Sequence, residues 1–110
     1  MKEKTKELIW ISFDLGVQGD YESLYNWLDG HDAKECGDSL AVLEYEYRGD
    51  LIDSLRKELK GTLETNGKTR IYVIRRVGER PVGRFVLGSR KRPPWTGFAV
   101  QQSEDEDYGT

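Results

Sequence analysis

The sequence predicts an α+β fold of the ferredoxin-like type: a two-layer sandwich with two helices on one face of a mostly antiparallel sheet of four to five strands. Two short stretches have helical spacing of apolar residues, and they alternate with extended apolar runs. The last extended runs cluster in the carboxyl half of the chain, which is typical of helices layered on one face of a sheet. A length of 110 residues fits one domain.

The amino half begins with a predicted strand over residues 8–14, where β-branched and aromatic side chains fall on both faces. Gly16 and Gly19 end this strand. Asp20 is the predicted N-cap of a helix over residues 21–29, because apolar residues then recur at i, i+3, i+4 and i+7.

The middle of the chain predicts a strand and a second helix. Residues 40–47 alternate between apolar and polar faces, as in a strand with one buried face. Asp50 is the predicted N-cap of a leucine-rich helix that ends at Gly61 or at residues 66–67. If residues 37–47 contain a hairpin, the order becomes β-α-β-β-α-β, the split βαβ plan. The alternative is a sheet of right-handed βαβ crossovers with an added hairpin.

The carboxyl half predicts a hairpin of two strands, residues 69–77 and 82–87, followed by a short strand over residues 95–100. The predicted organisation is therefore a flexible segment over residues 1–7, one domain over residues 8–100 and a disordered acidic tail over residues 101–110. The tail has no apolar cluster that could offset the entropy of ordering it.

Composition indicates a cytoplasmic protein with no contact to a membrane. No run of residues is long and apolar enough to span a bilayer, and the first residues lack the apolar segment of a secretory signal. The single cysteine, Cys36, fits a reducing compartment and is more often a turn residue than a nucleophile. Cys36 and the single histidine, His31, do not supply the usual ligands of a zinc site.

Charge is distributed unevenly along the chain. The net charge is −3, yet residues 68–92 contain nine basic residues and one acidic residue, Glu79. Such a segment can bind a DNA or RNA backbone, or it can pair with acids such as Glu44 and Glu46 of the same chain or of a partner subunit. Because strand pairing would gather arginines into one patch, with Trp95 as a stacking surface, we select these candidate binding residues: Arg75, Arg76, Arg84, Arg90, Lys91, Arg92 and Trp95.

Four short motifs carry a family resemblance. They are Phe13-Asp14-Leu15 at the end of the first strand, Asp-Ser-Leu-Ala-Val-Leu at residues 38–43, Arg70-Ile-Tyr-Val73, and Trp95-Thr-Gly-Phe98. Over residues 8–77, with an extension to Phe98, the chain resembles the Cas2 family and more closely its SinR-like relatives outside the CRISPR loci. The resemblance implies a ferredoxin-like fold and a homodimer in which C-terminal strands extend the partner's sheet. The longer C-terminal part and the acidic tail depart from the Cas2 pattern.

The resemblance also implies two different activities. Some Cas2 members are metal-dependent nucleases in which the aspartate of the first strand binds the metal, whereas others are structural adaptors. Asp14 is therefore a candidate catalytic residue and a candidate ligand for Mg²⁺ or Mn²⁺. From the residues alone, an aspartate before a glycine-containing loop more often accepts backbone hydrogen bonds and shapes the turn.

Three functions remain open at this point. We expect first a non-enzymatic, dimeric protein that associates with nucleic acid or with an assembly and needs no cofactor. The second is a metal-dependent nuclease centred on Asp14. The third is a protein-interaction accessory factor of a mobile element or phage. The sequence contains no Walker loop, G-x-S-x-G or H-E-x-x-H motif.

Overall fold

The computed structural model describes residues 3–99, and within them five strands form one sheet. The elements in chain order are β1 (Lys4–Asp14), α1 (Tyr21–Gly30), β2 (Lys34–Glu35), β3 (Leu40–Arg48), α2 (Leu51–Thr62), β4 (Arg70–Val77) and β5 (Arg80–Leu87). The sheet order is β2-β3-β1-β4-β5, and every neighbouring pair is antiparallel. This is the ferredoxin-like βαββαβ arrangement with one strand added beyond β4, so the predicted fold class is confirmed.

A hairpin between β2 and β3 decides between the two predicted topologies. β2 is only two residues long and pairs with Val42 and Ala41 of β3. The turn between the strands is closed by a hydrogen bond from the Cys36 N–H to the Leu40 carbonyl, at 2.8 Å. The alternative built from βαβ crossovers is therefore wrong.

β1 begins at Lys4, ahead of the predicted strand over residues 8–14. Its polar first part lies in register with β3, and two cross-strand ion pairs join them: Lys4 with Glu46 at 3.3 Å and Lys6 with Glu44 at 3.2 Å. The predicted flexible segment over residues 1–7 is thus part of the sheet from Lys4 onward. The predicted acidic tail, residues 101–110, lies outside the described residues.

The core lies between the sheet and the two helices. Alternate residues of β1, such as Ile9 and Ile11, are fully buried against leucines of α1 and α2, such as Leu24 and Leu55. The same alternation places the intervening residues on the other side of the sheet. We call this side the open face, and its half-buried apolar side chains are Trp10, Leu40, Val42, Tyr72, Ile74 and Phe85, with Leu8 more exposed.

The predicted strand over residues 95–100 is wrong for the part of it that is described. Residues 94–97 form tight turns and residues 98–99 are helical; the Thr96 N–H donates to the Pro93 carbonyl and the Phe98 N–H donates to the Trp95 carbonyl. Two prolines precede this stretch, and proline lacks the N–H that strand pairing needs. The fifth strand of the sheet is instead β2, which the pattern of apolar residues did not indicate.

Neither helix within residues 3–99 has the length and apolarity that a membrane crossing requires.

Candidate anion-binding cleft

Three chain segments meet at one end of the sheet and form a cleft. β1 ends at Asp14, which lies opposite Arg70 at the start of β4, and β5 ends next to them at Leu87. The loops that follow or precede these strand ends enclose a cavity of about 510 Å³. We call it the basic cleft, and its lining residues are Asp14, Gly16, Val17, Gly67, Lys68, Thr69, Arg70, Gly88, Ser89, Arg90 and Lys91.

The lining of the basic cleft carries a clear excess of positive charge. Four cationic side chains, Lys68, Arg70, Arg90 and Lys91, share the cavity with a single acid, Asp14. Within residues 3–99, the only ion pair recorded among these five side chains joins Arg70 to Asp14. Lys68, Arg90 and Lys91 therefore leave their charge available to an anion in the cavity.

Asp14 is engaged by hydrogen bonds from two sides. Its Oδ1 accepts a hydrogen bond from the Gly16 N–H at 3.1 Å, and its Oδ2 accepts one from Arg70 Nη2 at 3.1 Å. The Gly16 N–H first and the Arg70 guanidinium second hold the pKa of Asp14 below its usual value of 3.8. The carboxylate thus shapes the turn after β1 and orients Arg70, which is the role that the residues alone favoured.

The setting of Asp14 bears on the predicted metal site. A divalent cation at Asp14 would have to replace the Arg70 guanidinium or share the carboxylate with it, close to further cations of the basic cleft. Among the described residues, no three His, Cys, Asp or Glu side chains are grouped so that they could hold a metal ion. One chain therefore supplies a single carboxylate, Asp14, to this cleft, and the metal site stays a prediction.

One wall of the cleft depends on a close backbone approach at Gly88. Its φ angle is +76°, and a Cβ atom there would collide with the Thr69 carbonyl oxygen. Position 88 therefore requires glycine, because the backbone just after β5 passes close to Thr69, the residue before β4. This turn brings Arg90 and Lys91 back over the cleft.

Two aromatic rings border the basic cleft on the open face. Tyr72 and Phe85 lie opposite each other on β4 and β5 and make an edge-to-face pair with centroids 4.8 Å apart. The guanidinium carbon of Arg90 lies 5.8 Å from the Tyr72 centroid and 5.7 Å from the Phe85 centroid. These cation–π contacts hold Arg90 at the boundary between the cavity and the open face.

The structure divides the predicted binding residues between two sides of the sheet. Arg90 and Lys91 lie in the basic cleft, whereas Arg84 lies opposite Val73 on the side that the helices cover. Arg84 lines a second cavity there, together with Arg75 and with Asp50 and other residues next to α2. Strand pairing thus gathers some of these arginines, as expected, but the seven predicted residues do not form one patch, because neighbouring residues of a strand project to opposite faces.

Arg75 has a structural partner that the sequence did not reveal. Its Nε and Nη2 atoms donate to the two carboxylate oxygens of Glu7 at 2.7 and 2.8 Å, and the Tyr47 hydroxyl donates to the same carboxylate at 2.7 Å. The Glu7 carboxylate raises the pKa of Arg75. Both ionic side chains are mostly shielded from solvent, so Arg75 acts within the fold.

The remaining predicted residues lie apart from the cleft. Arg76 is exposed on β4 and lines a shallow apolar depression that also includes Trp10 and Ile74. Arg92 is exposed in the loop after Lys91, and Trp95 is 72% exposed beyond it. None of these three side chains lines the basic cleft.

Sequence reasoning missed two of the four cations in the basic cleft, Lys68 and Arg70. Both belong to the basic segment, but neither was singled out as a binding residue. The signal for Arg70 was available, because β1 and β4 are neighbours in the ferredoxin-like order and Asp14 and Arg70 occupy the strand ends that must meet. Lys68 lies in a glycine-containing turn whose position depends on the end of α2.

Comparison with protein-family models, curated proteins and solved structures found no match for this chain. The resemblance to the Cas2 family remains an expectation from four short motifs, and the chemistry of the basic cleft carries the functional proposal.

Proposed function

We propose that the protein is a non-enzymatic, dimeric protein of the Cas2/SinR-like type that associates with nucleic acid or with a nucleic-acid assembly. Its basic cleft would hold phosphate groups of a DNA or RNA backbone. The observation that carries the proposal is the charge of the cleft: four cations surround one carboxylate, and that carboxylate is already paired with Arg70. Arginine and lysine side chains grouped in this way bind phosphate and release counterions from the nucleic acid.

The shape of the site supports phosphate as the anion. The cavity of about 510 Å³ is lined by loop residues and strand ends and is open to solvent, so a phosphate group can enter it. At Gly67 no atom lies within 4 Å of the place a Cβ would occupy, so this part of the wall leaves room for a ligand backbone. Lys68 and Lys91 lie on different loops of the basic cleft, so each would contribute its own contact to the phosphate backbone.

The proposal is tested by the salt dependence of binding to a short labelled oligonucleotide, measured by fluorescence anisotropy. The logarithm of the binding constant should fall linearly with the logarithm of the salt concentration. The double substitution Lys68→Ala with Lys91→Ala should make that slope shallower by about one to two. The matched control is Lys57→Ala with Lys60→Ala, which removes two exposed lysines from α2 and should leave the slope unchanged. Binding that does not respond to salt, or equal slopes for both double variants, would overturn the proposal.

A homodimer is part of the same proposal. The family resemblance implies that C-terminal strands extend the partner's sheet. Such an extension needs a C-terminal strand at an edge of the sheet, and β5 is an edge strand. An edge strand presents backbone groups that a second strand can pair with. Light scattering after size-exclusion chromatography should give twice the chain mass of 12.7 kDa, and a mass of one chain would contradict the dimer.

We propose a cytoplasmic location on the strength of the single cysteine. Cys36 is a free, exposed thiol, and such a thiol persists in a reducing compartment.

The two alternative functions are outcomes of the same experiments. A nuclease centred on Asp14 would cleave the oligonucleotide when Mg²⁺ or Mn²⁺ is added, and Asp14→Asn would abolish the cleavage. Such a result would replace the non-enzymatic proposal. If the chain binds no oligonucleotide at any salt concentration, a protein-interaction accessory factor becomes the better explanation.

A further inference from the structure

We propose that the nucleic acid bound by this chain is single-stranded, with bases stacked on Tyr72 and Phe85 while the phosphates lie in the basic cleft. The proposal rests on the proposed function and names its ligand class. It is carried by the position of two aromatic rings on an open sheet face, directly beside a cavity that gathers positive charge.

The rings and the cations are arranged in consecutive rows on the same face. Asp14 and Arg70 form one row, and the next residues on that face, Ser12 and Tyr72, form the row beside it, with Phe85 opposite Tyr72. Successive residues on one face of a strand are about 7 Å apart. A base whose phosphate is held in the cleft therefore lies within reach of the two rings.

Arg90 connects the two parts of the surface. Its guanidinium group lies over both rings and also lines the cavity, so a base that stacks on the rings would displace it toward the phosphates in the cleft. Stacking of bases on aromatic rings, combined with arginine contacts and a basic groove, is how proteins bind single strands without reading their sequence. Sheet faces with two or three such rings are a recurrent platform for it.

The open face favours a single strand over a duplex. In a duplex the faces of the bases are covered by their neighbours, so protein rings have no access to them unless bases are unstacked. Beyond Tyr72 the open face continues with Trp10 and Ile74, which lie opposite each other on β1 and β4. This half-buried apolar surface would cover further unstacked bases, whereas a duplex would leave it exposed to water.

The charges of the open face favour a polyanion over a second copy of the chain. The end of the face at the cleft carries Arg70 and Arg90, whereas Glu44 and Glu46 at its other end are already paired with lysines of β1. In a two-fold contact between open faces the positive end would meet either its own copy or the end where Glu44 and Glu46 are already paired, and neither offers an unpaired acid. A polyanion supplies that negative charge.

The experiment compares three ligands of equal length: oligothymidylate, oligouridylate and a mixed-sequence DNA duplex. Tyr72→Leu and Phe85→Leu should each weaken binding of both single strands by about tenfold and leave duplex binding unchanged. Tyr72→Phe keeps the ring and should retain binding. Tyr25→Leu, which removes a half-exposed ring from α1, is the matched control and should change nothing. The two single strands distinguish DNA from RNA as the preferred ligand.

A second measurement uses the unmodified chain and does not depend on the folding of any variant. Oligouridylate that contains bromouracil should cross-link under ultraviolet light to Tyr72, Phe85 or Trp10, as mapped by mass spectrometry. Cross-links found only on the helices would overturn the proposal.

The remaining outcomes are also decisive. If duplex and single strands bind equally and with the same salt slope, and the leucine variants change neither, the proposed function stands and base stacking is wrong. If Tyr72→Leu lowers the molecular mass from two chains to one, the open face is an interface between copies, and the proposal is overturned. If no ligand binds, the proposed function fails together with it.

Discussion

Asp14 accepts a hydrogen bond from a backbone N–H and another from Arg70, and it contributes the single negative charge of the basic cleft. Asp14→Asn removes that charge while keeping the size of the side chain. We expect the variant to bind oligonucleotide more tightly at low salt, by roughly two- to fivefold, because one charge at short range in solvent is worth up to about 1 kcal/mol. Anisotropy titration measures the change, and weaker binding would show that the pairing of Arg70 with Asp14 matters more for the ligand than the charge of the carboxylate.

The pH dependence of stability gives an independent check on Asp14. Its folded pKa lies below the usual value of 3.8, so the ionised carboxylate stabilises the fold above that pH, and this contribution is lost as the pH falls through the folded pKa. The melting temperature of the wild-type chain should therefore exceed that of Asp14→Asn near neutral pH. The difference should shrink below pH 3.8. Thermal scans over this range measure it, and a constant difference would contradict the assignment.

Arg75 was predicted as a binding residue, but its guanidinium group is engaged by Glu7. Arg75→Met should lower the free energy of unfolding by about 1–3 kcal/mol, because it leaves a mostly shielded carboxylate without its charged donor. The salt slope of oligonucleotide binding should not change. Urea denaturation and anisotropy measure the two effects, and a changed slope with unchanged stability would restore Arg75 to the binding surface.

The contrast between Arg75 and Arg90 shows what sequence can predict about individual residues. Arg90 follows the last strand of a basic segment, and its place near other cations follows from local chain order. The partner of Arg75 is 68 residues away in a segment that was predicted to be flexible. Local patterns do not reveal such a pairing, because it depends on the register between β1, β3 and β4.

The helices were the most predictable elements, because their signals are local. Both predicted N-caps are observed: Asp20 accepts a hydrogen bond from the Ser23 N–H, and Asp50 accepts one from the Asp53 N–H. The apolar stripe of α2 faces the core as its spacing predicted, whereas in α1 the predicted stripe is met by Leu24 and Leu28 only in part, since Tyr25 is 52% exposed and Trp27 is buried. β2 could not be predicted in this way, since its two residues, Lys34 and Glu35, are exposed and contribute no apolar pattern.

The two N-cap side chains differ in their other hydrogen bonds, so their substitutions should lower the melting temperature by different amounts. The other carboxylate oxygen of Asp20 accepts a hydrogen bond from the Glu64 N–H at 2.9 Å, so the side chain also ties α1 to the chain after α2. The Glu64 N–H is the main reason that the pKa of Asp20 is lowered. Asp20→Ala should therefore lower the melting temperature more than Asp50→Ala does, and each should lower it relative to the wild type. Equal melting temperatures for the two variants would contradict the second role of Asp20.

For the whole molecule, the fold class was predictable but the charge distribution was not. Residues 68–92 form one basic segment along the chain, and two strands of that segment lie at one edge of the sheet. Strand alternation sends Arg84 toward the helices, whereas the turn at Gly88 places Arg90 in the basic cleft. One basic segment of the chain therefore contributes to two separate surfaces. Only the meeting of the β1, β4 and β5 ends creates the basic cleft, and the sequence order alone does not show it.

The binding site itself can be located by nuclear magnetic resonance on the uniformly ¹⁵N-labelled chain. Titration with oligothymidylate should shift the amide resonances of residues 16, 67–70 and 88–91, which line the basic cleft. The amides around Asp50, Arg56 and Arg84 surround the other arginine-containing cavity and serve as the internal reference. We predict the largest shifts at the basic cleft and little change at that reference cavity. The largest shifts at the reference cavity, or no shift at all, would contradict phosphate binding by the basic cleft.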